Sequence, residues 1–172
     1  WLYIIATAFI AIGFADFPLI AYHFSKSKII NESFIPIFYS GAMGIDALAA
    51  IILGKLFDKH GIKILIYSTL ISLLFAPFIF LSKITIIIIA GMICWGIGIA
   101  AQESIIRSVL SSILPPDKKG TGFGIFYAIF GFSWFLGSLL MGLLYDVSLT
   151  YLVIFSIVMQ IISIPIILKI SN

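Results

Sequence analysis

Six long apolar runs, separated by short polar segments, constrain this sequence more than any other feature. A helix needs about 20 mostly apolar residues to cross the hydrocarbon core of a bilayer. The runs cover residues 1–24, 34–57, 62–82, 84–113, 120–145 and 149–168. A membrane β-barrel would show short alternating segments instead, whereas positions 86–89 are consecutive isoleucines. We therefore predict an all-α integral membrane protein, with six transmembrane helices in a single domain over residues 1–172.

The composition excludes several other classes of protein. Hydrophobic residues make up 62% of the chain and charged residues 10%, against about 45–50% and 25% in soluble domains. The basic residues are few and scattered, so we predict no nucleic-acid partner. With one cysteine and two histidines, no metal site or other cofactor is expected. The sequence carries no recognisable catalytic motif, so we predict that the chain is not an enzyme.

The distribution of cations predicts the orientation of the chain. Short loops rich in Lys and Arg favour the cytoplasmic side. If the six helices alternate, one side carries Lys55, Lys59, Lys63, Arg107, Lys118, Lys119 and Lys169, and the other carries Lys26, Lys28 and Lys83. We therefore expect a multi-pass protein of the plasma membrane with both termini in the cytoplasm.

The segment "GKLFDKHGIKIL", residues 54–65, places charges between two apolar runs. Gly61 can adopt the positive φ that ends a helix, and Gly54 would allow two helices to pack closely. The Asp58 carboxylate could meet a cation or a helix N-terminus, while Lys59 and Lys63 would face the cytoplasm. A tight turn held by breakable charge contacts would suit a latch.

This segment resembles the signature turn of the major facilitator superfamily, Gly-x-Leu-x-Asp-basic-x-Gly followed by basic residues. The matching positions are Gly54, Leu56, Asp58, Lys59, Gly61 and Lys63. Ile62 departs from the pattern, which usually has a basic residue there. The later stretches "LPPDKKGTGFGIF" and "WFLGSLLMGLLYD" resemble the link between the tenth and eleventh helices of that family and the eleventh helix itself.

The resemblance implies that the chain is the C-terminal six-helix half of such a transporter. The N-terminal half would then be supplied by the same polypeptide or by a second chain, and Trp1 would not be the natural start. The pattern Gly54-x-Leu-x-Asp58 recurs as Gly142-x-Leu-x-Asp146 on the opposite side of the membrane. This recurrence favours two inverted three-helix repeats.

Two acids inside the apolar runs are candidates for coupling to a substrate or an ion, because buried charges are costly. Asp16 precedes Pro18, which should break or kink the first helix. It could cap the following helical segment or form a proton or cation site at the break. Asp46 lies among small residues and is either a neutral structural acid or a group whose protonation is coupled to transport.

Other residues are candidates for gating or for lining a cavity. Glu103 and Arg107 are four residues apart, so they could form an ion pair on one helix face and reach the Asp58 turn. Trp95 and Trp134 lie at mid-span, where their side chains either face lipid or pack in the protein, or line a cavity, with Tyr127 near Trp134. A stripe of small residues on the fifth helix predicts close approach by another helix: Gly120, Gly124, Ala128, Gly131, Ser138 and Gly142. His23 is expected to be an exposed loop residue.

These features predict part of a secondary active transporter that moves a small molecule across the lipid bilayer by alternating access. The finer hypothesis is proton-coupled efflux of amphipathic compounds, as by an antiporter. The alternative is a six-helix membrane module that does not transport, but dimerises or supports a partner.

Overall fold

The computed structural model describes residues 1–171, which are mostly helical and contain no strand. The α-helices are α1 (Leu2–Ile12), α2 (Phe17–Ser27), α3 (Ile35–His60), α4 (Lys63–Ser72), α5 (Phe75–Phe80), α6 (Thr85–Ala100), α7 (Ile106–Ile113), α8 (Lys119–Val147) and α9 (Leu149–Ser171). A π-helical segment, Ala101–Ile105, joins α6 to α7, and short 3₁₀ turns precede α3 and α8.

These elements form six continuous stretches that are long and apolar enough to cross a membrane. They are Leu2–Ser27, Glu32–His60, Lys63–Phe80, Thr85–Ile113, Pro116–Val147 and Leu149–Ser171. The predicted all-α class with six membrane-spanning helices is therefore confirmed. Three of the six spans are interrupted: the first between α1 and α2, the third between α4 and α5, and the fourth by the π-helical segment.

The core consists of two apolar clusters along the length of the bundle. One surrounds Phe14, Phe75 and Trp95, and the other surrounds Leu65 and Phe126. The first span gives its N-terminal half to the second cluster and its C-terminal half to the first. Helix α1 packs on α8 and α9, while α3 packs on α6. The break in the first span therefore lies in the middle of the bundle, between the two clusters.

The second and fifth spans are far less buried than the rest of the bundle. Only 17% of the most apolar window of each is buried, against 56% in the third and fourth spans. A Cβ placed on any of several glycines in these spans would have no heavy atom within 4 Å: Gly41, Gly44, Gly54, Gly120, Gly124, Gly131 and Gly142. Each of these two helices therefore presents an open face lined with glycines.

The predicted close contact along the small-residue stripe of the fifth helix is therefore wrong for the helices of this chain. The glycine of α8 that packs closely against another helix's backbone is Gly137, where a Cβ would lie 2.6 Å from the Ile12 Cα atom. Gly137 is outside the stripe and on a different face of α8. The glycines of the stripe face outward because α1 and α9 occupy the other side of the helix, whereas Ser138 contacts Asp16.

Candidate functional site

The first span breaks between Gly13, which ends α1, and Asp16, which precedes α2. Asp16 has an extended backbone, with φ −69° and ψ 150°. Pro18 follows in the first turn of α2, where a missing N–H costs nothing. The predicted break is confirmed. Asp16 occupies the N-cap position of α2, as the capping interpretation expects, but its side chain makes no capping hydrogen bond and points instead to α8.

Side chains from other helices satisfy the carbonyl groups that the break exposes. The Gly13 carbonyl accepts hydrogen bonds from Ser156 Oγ at 2.6 Å and Gln160 Nε2 at 3.2 Å. The Ala15 carbonyl accepts one from Trp95 Nε1 at 2.9 Å. In a bilayer no water is available to replace these donors. The break is therefore a stable part of the fold. The interpretation of Trp95 as a cavity-lining residue is wrong, since Trp95 is buried in the core.

The Asp16 carboxylate is held by two donors from α8. Trp134 Nε1 donates to Oδ1 and Ser138 Oγ donates to Oδ2. Trp134 and Ser138 are four residues apart, so both side chains lie on the same face of the helix. The structure therefore brings together two residues that the sequence singled out separately, Asp16 and Trp134. Sequence reasoning assigned Ser138 only to the packing stripe, although its spacing from Trp134 was a usable signal.

Aromatic rings continue from this cluster along α8. The Trp134 ring packs edge-on against Phe130, with centroids 5.7 Å apart, and against Phe14. Tyr127 lies seven residues before Trp134, two helical turns along the same face, and is exposed. Phe132 and Phe135 are also exposed, at about 60% of their surface. Helix α8 thus carries both donors to a half-buried carboxylate and several aromatic side chains that the described chain leaves exposed.

Asp46 occupies a separate position on α3 and is half-buried. Glu103 lies on the π-helical segment that packs against α3. No hydrogen bond or ion pair within residues 1–171 joins Asp46 to Asp16. In the same range no three His, Cys, Asp or Glu side chains are grouped as a metal ion would require.

The turn after α3 has the tight geometry that the sequence predicted. Helix α3 ends at His60, and α4 begins three residues later at Lys63. Gly61 takes φ 61° and ψ −147°, a conformation that is essentially restricted to glycine. Asp58, Lys59 and Lys63 are exposed. The latch function of this turn stays a prediction.

The predicted Glu103–Arg107 ion pair is wrong in this structure. Both side chains are exposed, and the one ion pair among the described residues, Lys26 Nζ to Asp146 Oδ1 at 3.8 Å, lies at the opposite end of the bundle. Glu103 belongs to the π-helical segment, whose wider turn changes which positions face one another. The expected contact from this helix to Asp58 is also not formed within residues 1–171.

Comparison with known proteins places this architecture in a family. Residues 2–170 match the model of the Major Facilitator Superfamily, so the chain belongs to that family of membrane transporters. The uncharacterized protein Rv2265 of Mycobacterium tuberculosis is 32% identical over 160 residues, and the uncharacterized protein Mb2288 of Mycobacterium bovis is equally similar. Each match covers 93% of this chain but only 39% of the relative. No solved structure matches the chain.

The family assignment confirms two predictions, the suspected membership itself and the multi-pass membrane class. Its members are transporters rather than enzymes. The residue roles, the orientation of the termini and the missing half remain predictions.

Proposed function

We propose that this chain is one six-helix half of a secondary transporter and that Asp16 is its site of coupling to a substrate or a proton. The observation that carries the proposal is the Asp16 carboxylate, placed at a helix break and held by Trp134 and Ser138. Ionisable groups within membrane spans mark substrate and proton pathways. Broken helices are a frequent place for transporter binding sites.

The two donors differ in a way that suits a proton-accepting site. An indole N–H can only donate, whereas a serine hydroxyl both donates and accepts. When a proton binds Asp16 Oδ2, the Ser138 hydroxyl can rotate and accept a hydrogen bond from the new carboxyl O–H, while Trp134 continues to donate to Oδ1. The cluster can therefore hold both forms of the carboxyl group without moving the backbone. A cationic group of a substrate could bind the same oxygens in place of the two donors.

The open faces of α3 and α8 support a second half as the partner of this chain. Their glycines have no neighbour within 4 Å, and small residues let membrane helices approach closely. The relatives are more than twice as long as the matched region, so each has room for further helices. Substrate would bind between the halves, beside the Asp16 cluster, and rocking of the halves would give alternating access.

The exposed aromatic side chains of α8 favour amphipathic substrates. Tyr127, Phe132 and Phe135 offer apolar rings, and Asp16 offers a negative charge. Export driven by proton entry is the direction we propose. The turn at Gly61, with exposed Asp58 and Lys59, would act as a latch against the other half.

The test uses the full-length polypeptide reconstituted in proteoliposomes, with a pH gradient and a fluorescent amphipathic cation such as ethidium. Asp16→Asn should abolish the gradient-driven movement of the dye, since the amide cannot bind and release the coupled proton. Asp46→Asn is the matched control, because it makes the same change in a half-buried acid outside the cluster.

Gradient-driven transport that survives in Asp16→Asn would refute the assignment of the coupling site. Loss in Asp46→Asn alone would transfer the role to Asp46. A wild-type protein that moves no dye under any gradient, while correctly folded, would favour the module that assists a partner without transporting.

A further inference from the structure

The second copy of the Gly-x-Leu-x-Asp pattern, which ends at Asp146, takes no part in the Asp16 site. It lies near the C-terminal end of α8, at the end of the bundle opposite the Gly61 turn. The Asp146 carboxylate meets the ammonium group of Lys26 at the end of α2, with Oδ1 3.8 Å from Nζ. Within residues 1–171, no Lys, Arg or His nitrogen lies within 4.0 Å of the Asp58 carboxylate in the first copy. The two copies of the pattern are therefore in different states, paired at one end of the bundle and unpaired at the other.

Two tyrosine rings also hold the Lys26 ammonium group. Its Nζ atom lies 5.2 Å from the centroid of the Tyr22 ring and 5.0 Å from that of the Tyr145 ring. The two rings pack edge to face, with centroids 5.3 Å apart. A cation within about 6 Å of an aromatic ring is attracted by the face of the ring. Lys26 therefore joins α2 to α8 through a ring of each helix as well as through Asp146.

A buried contact beneath Lys26 fixes the position of the Tyr145 ring. His23 is buried, with 3% of its surface exposed, so the expectation of an exposed loop histidine is wrong. Its Nδ1 atom lies 3.0 Å from the Tyr145 hydroxyl oxygen, within hydrogen-bond distance. The Phe80 ring packs against both His23 and Tyr145. The junction thus has a buried part, His23 with Tyr145, and an exposed part around Lys26, half of whose side chain is exposed.

The two helices that this junction joins are not tightly packed on each other at this end. Helix α2 is short and follows the break between Gly13 and Asp16, while α8 belongs to one of the two least buried spans. The close backbone contact of α8 with the first span, Gly137 against Ile12, lies on the other side of the break. Side chains, rather than closely packed backbones, therefore hold the ends of α2 and α8 together. Polar side chains at the end of the bundle can exchange such contacts for water.

We propose that Lys26 and the groups around it form a clasp, which holds the ends of α2 and α8 together in this conformation and releases them in another. The clasp consists of Lys26, Tyr22, Tyr145 and Asp146. The inference rests on the proposed alternating access, in which each end of the bundle opens in turn. An exposed ion pair or cation–π contact shifts an equilibrium only about two- to fivefold. A clasp of this strength biases the equilibrium between two conformations without fixing it, as a gate requires.

The test measures the separation of the ends of α2 and α8 in the full-length polypeptide, in nanodiscs of phosphatidylcholine. Spin labels are attached to Lys28→Cys and Val147→Cys, at exposed positions outside the clasp, after the other cysteines are replaced by serine. Dipolar broadening of the spectra gives the ratio of separated to closed ends. Lys26→Met removes the charge from a side chain of similar length, and it should raise this ratio at least fivefold.

Two variants control for the effect of substitution itself. Lys26→Arg should leave the ratio within twofold of wild type, because a guanidinium group also stacks on aromatic rings and pairs with carboxylates. Lys83→Met should do the same, because Lys83 is an exposed cation at this end with no carboxylate within 4.0 Å in residues 1–171. An unchanged ratio in Lys26→Met, or an equal rise in Lys83→Met or Lys26→Arg, would overturn the proposal.

A salt titration of the labelled wild type does not depend on any clasp variant folding. Salt screens exposed charges, and the Debye length falls to about 3 Å at about 1 M. Raising the salt concentration to this value should therefore raise the ratio of separated to closed ends in wild type, and the rise should be smaller in Lys26→Met. A wild-type ratio that salt leaves unchanged would overturn the proposal. Neither measurement uses a pH gradient or a substrate, so failure of the clasp is distinguished from failure of Asp16 as the coupling site.

Discussion

The contact between Gly137 and the end of α1 allows a sharp test of how the central site is built. A Cβ on Gly137 would lie 2.6 Å from Ile12 Cα and 2.8 Å from Ile12 C. Both are backbone atoms, so no side-chain rotation can relieve the clash. Ser138, the next residue, donates to Asp16. Gly137→Ala should therefore push α8 away from the helix break and weaken the Asp16 cluster as well as the fold.

The cost can be worked from these distances. Ordinary van der Waals contact begins at 3.4 Å, and the Ile12 carbonyl oxygen lies closer still than Ile12 Cα, so α8 would have to move by about 1 Å at this point. Overpacking of this kind costs about 1–3 kcal/mol. Gly131→Ala is the matched control, because a Cβ there meets nothing within 4 Å. It should gain up to about 1 kcal/mol from helix propensity, and the same gain is present in Gly137→Ala.

The assay is thermal unfolding of both variants in the same neutral detergent, followed by the fluorescence of Trp95, which is buried, and Trp134, which is half-buried. One kcal/mol shifts the Tm of a domain of this size by about 2–4 °C. A clash of about 2 kcal/mol should therefore place Gly137→Ala about 4–8 °C below Gly131→Ala. Equal Tm values for the two variants would refute the argument that α8 is seated on the backbone of α1.

Two further substitutions test local features of the fold by the same unfolding assay. Gly61→Ala should destabilise the protein by about 1–3 kcal/mol, because the backbone conformation of Gly61 is strained for any residue with a Cβ. Gly54→Ala should not destabilise it, because Gly54 has an ordinary helical backbone and open space around it. Equal effects of the two substitutions on the free energy of unfolding would contradict this argument. Gln160→Leu should cost about 1–3 kcal/mol, because it removes a buried donor to the Gly13 carbonyl. Ile161→Leu, at an exposed neighbouring position, should leave the free energy of unfolding unchanged. An unchanged free energy of unfolding in Gln160→Leu would show that the hydrogen bond from Ser156 is sufficient for the Gly13 carbonyl.

The helix break shows where sequence reasoning succeeds and where it stops. Pro18 predicts an interruption because its ring and missing N–H act locally. The donors that make the interruption tolerable, Ser156, Gln160 and Trp95, come from positions at least 80 residues away along the chain. Nothing in the local pattern identifies them, because serine and glutamine within apolar helices have several possible partners.

The glycines of the fifth helix also show that local spacing does not predict tertiary contacts. Their spacing correctly predicts one continuous face of small residues, but not what that face contacts. Gly137 lies off the stripe, yet it is the glycine of α8 that is seated against the backbone of α1. Likewise, the spacing of Glu103 and Arg107 predicts a pair only if the helix is regular, and a π-helical segment removes that condition.

The sequence by itself determined the membrane class, the six helical spans, the family and the glycine turn at residue 61. These follow from apolar run length, local backbone preference and short-range spacing, which act within a few residues. Only the tertiary structure decided that Trp134 and Ser138 hold Asp16, that Trp95 is buried, and that His23 is buried against Tyr145. Those relations join residues about 80 or more positions apart, and helix packing, rather than any local preference, sets which of them meet.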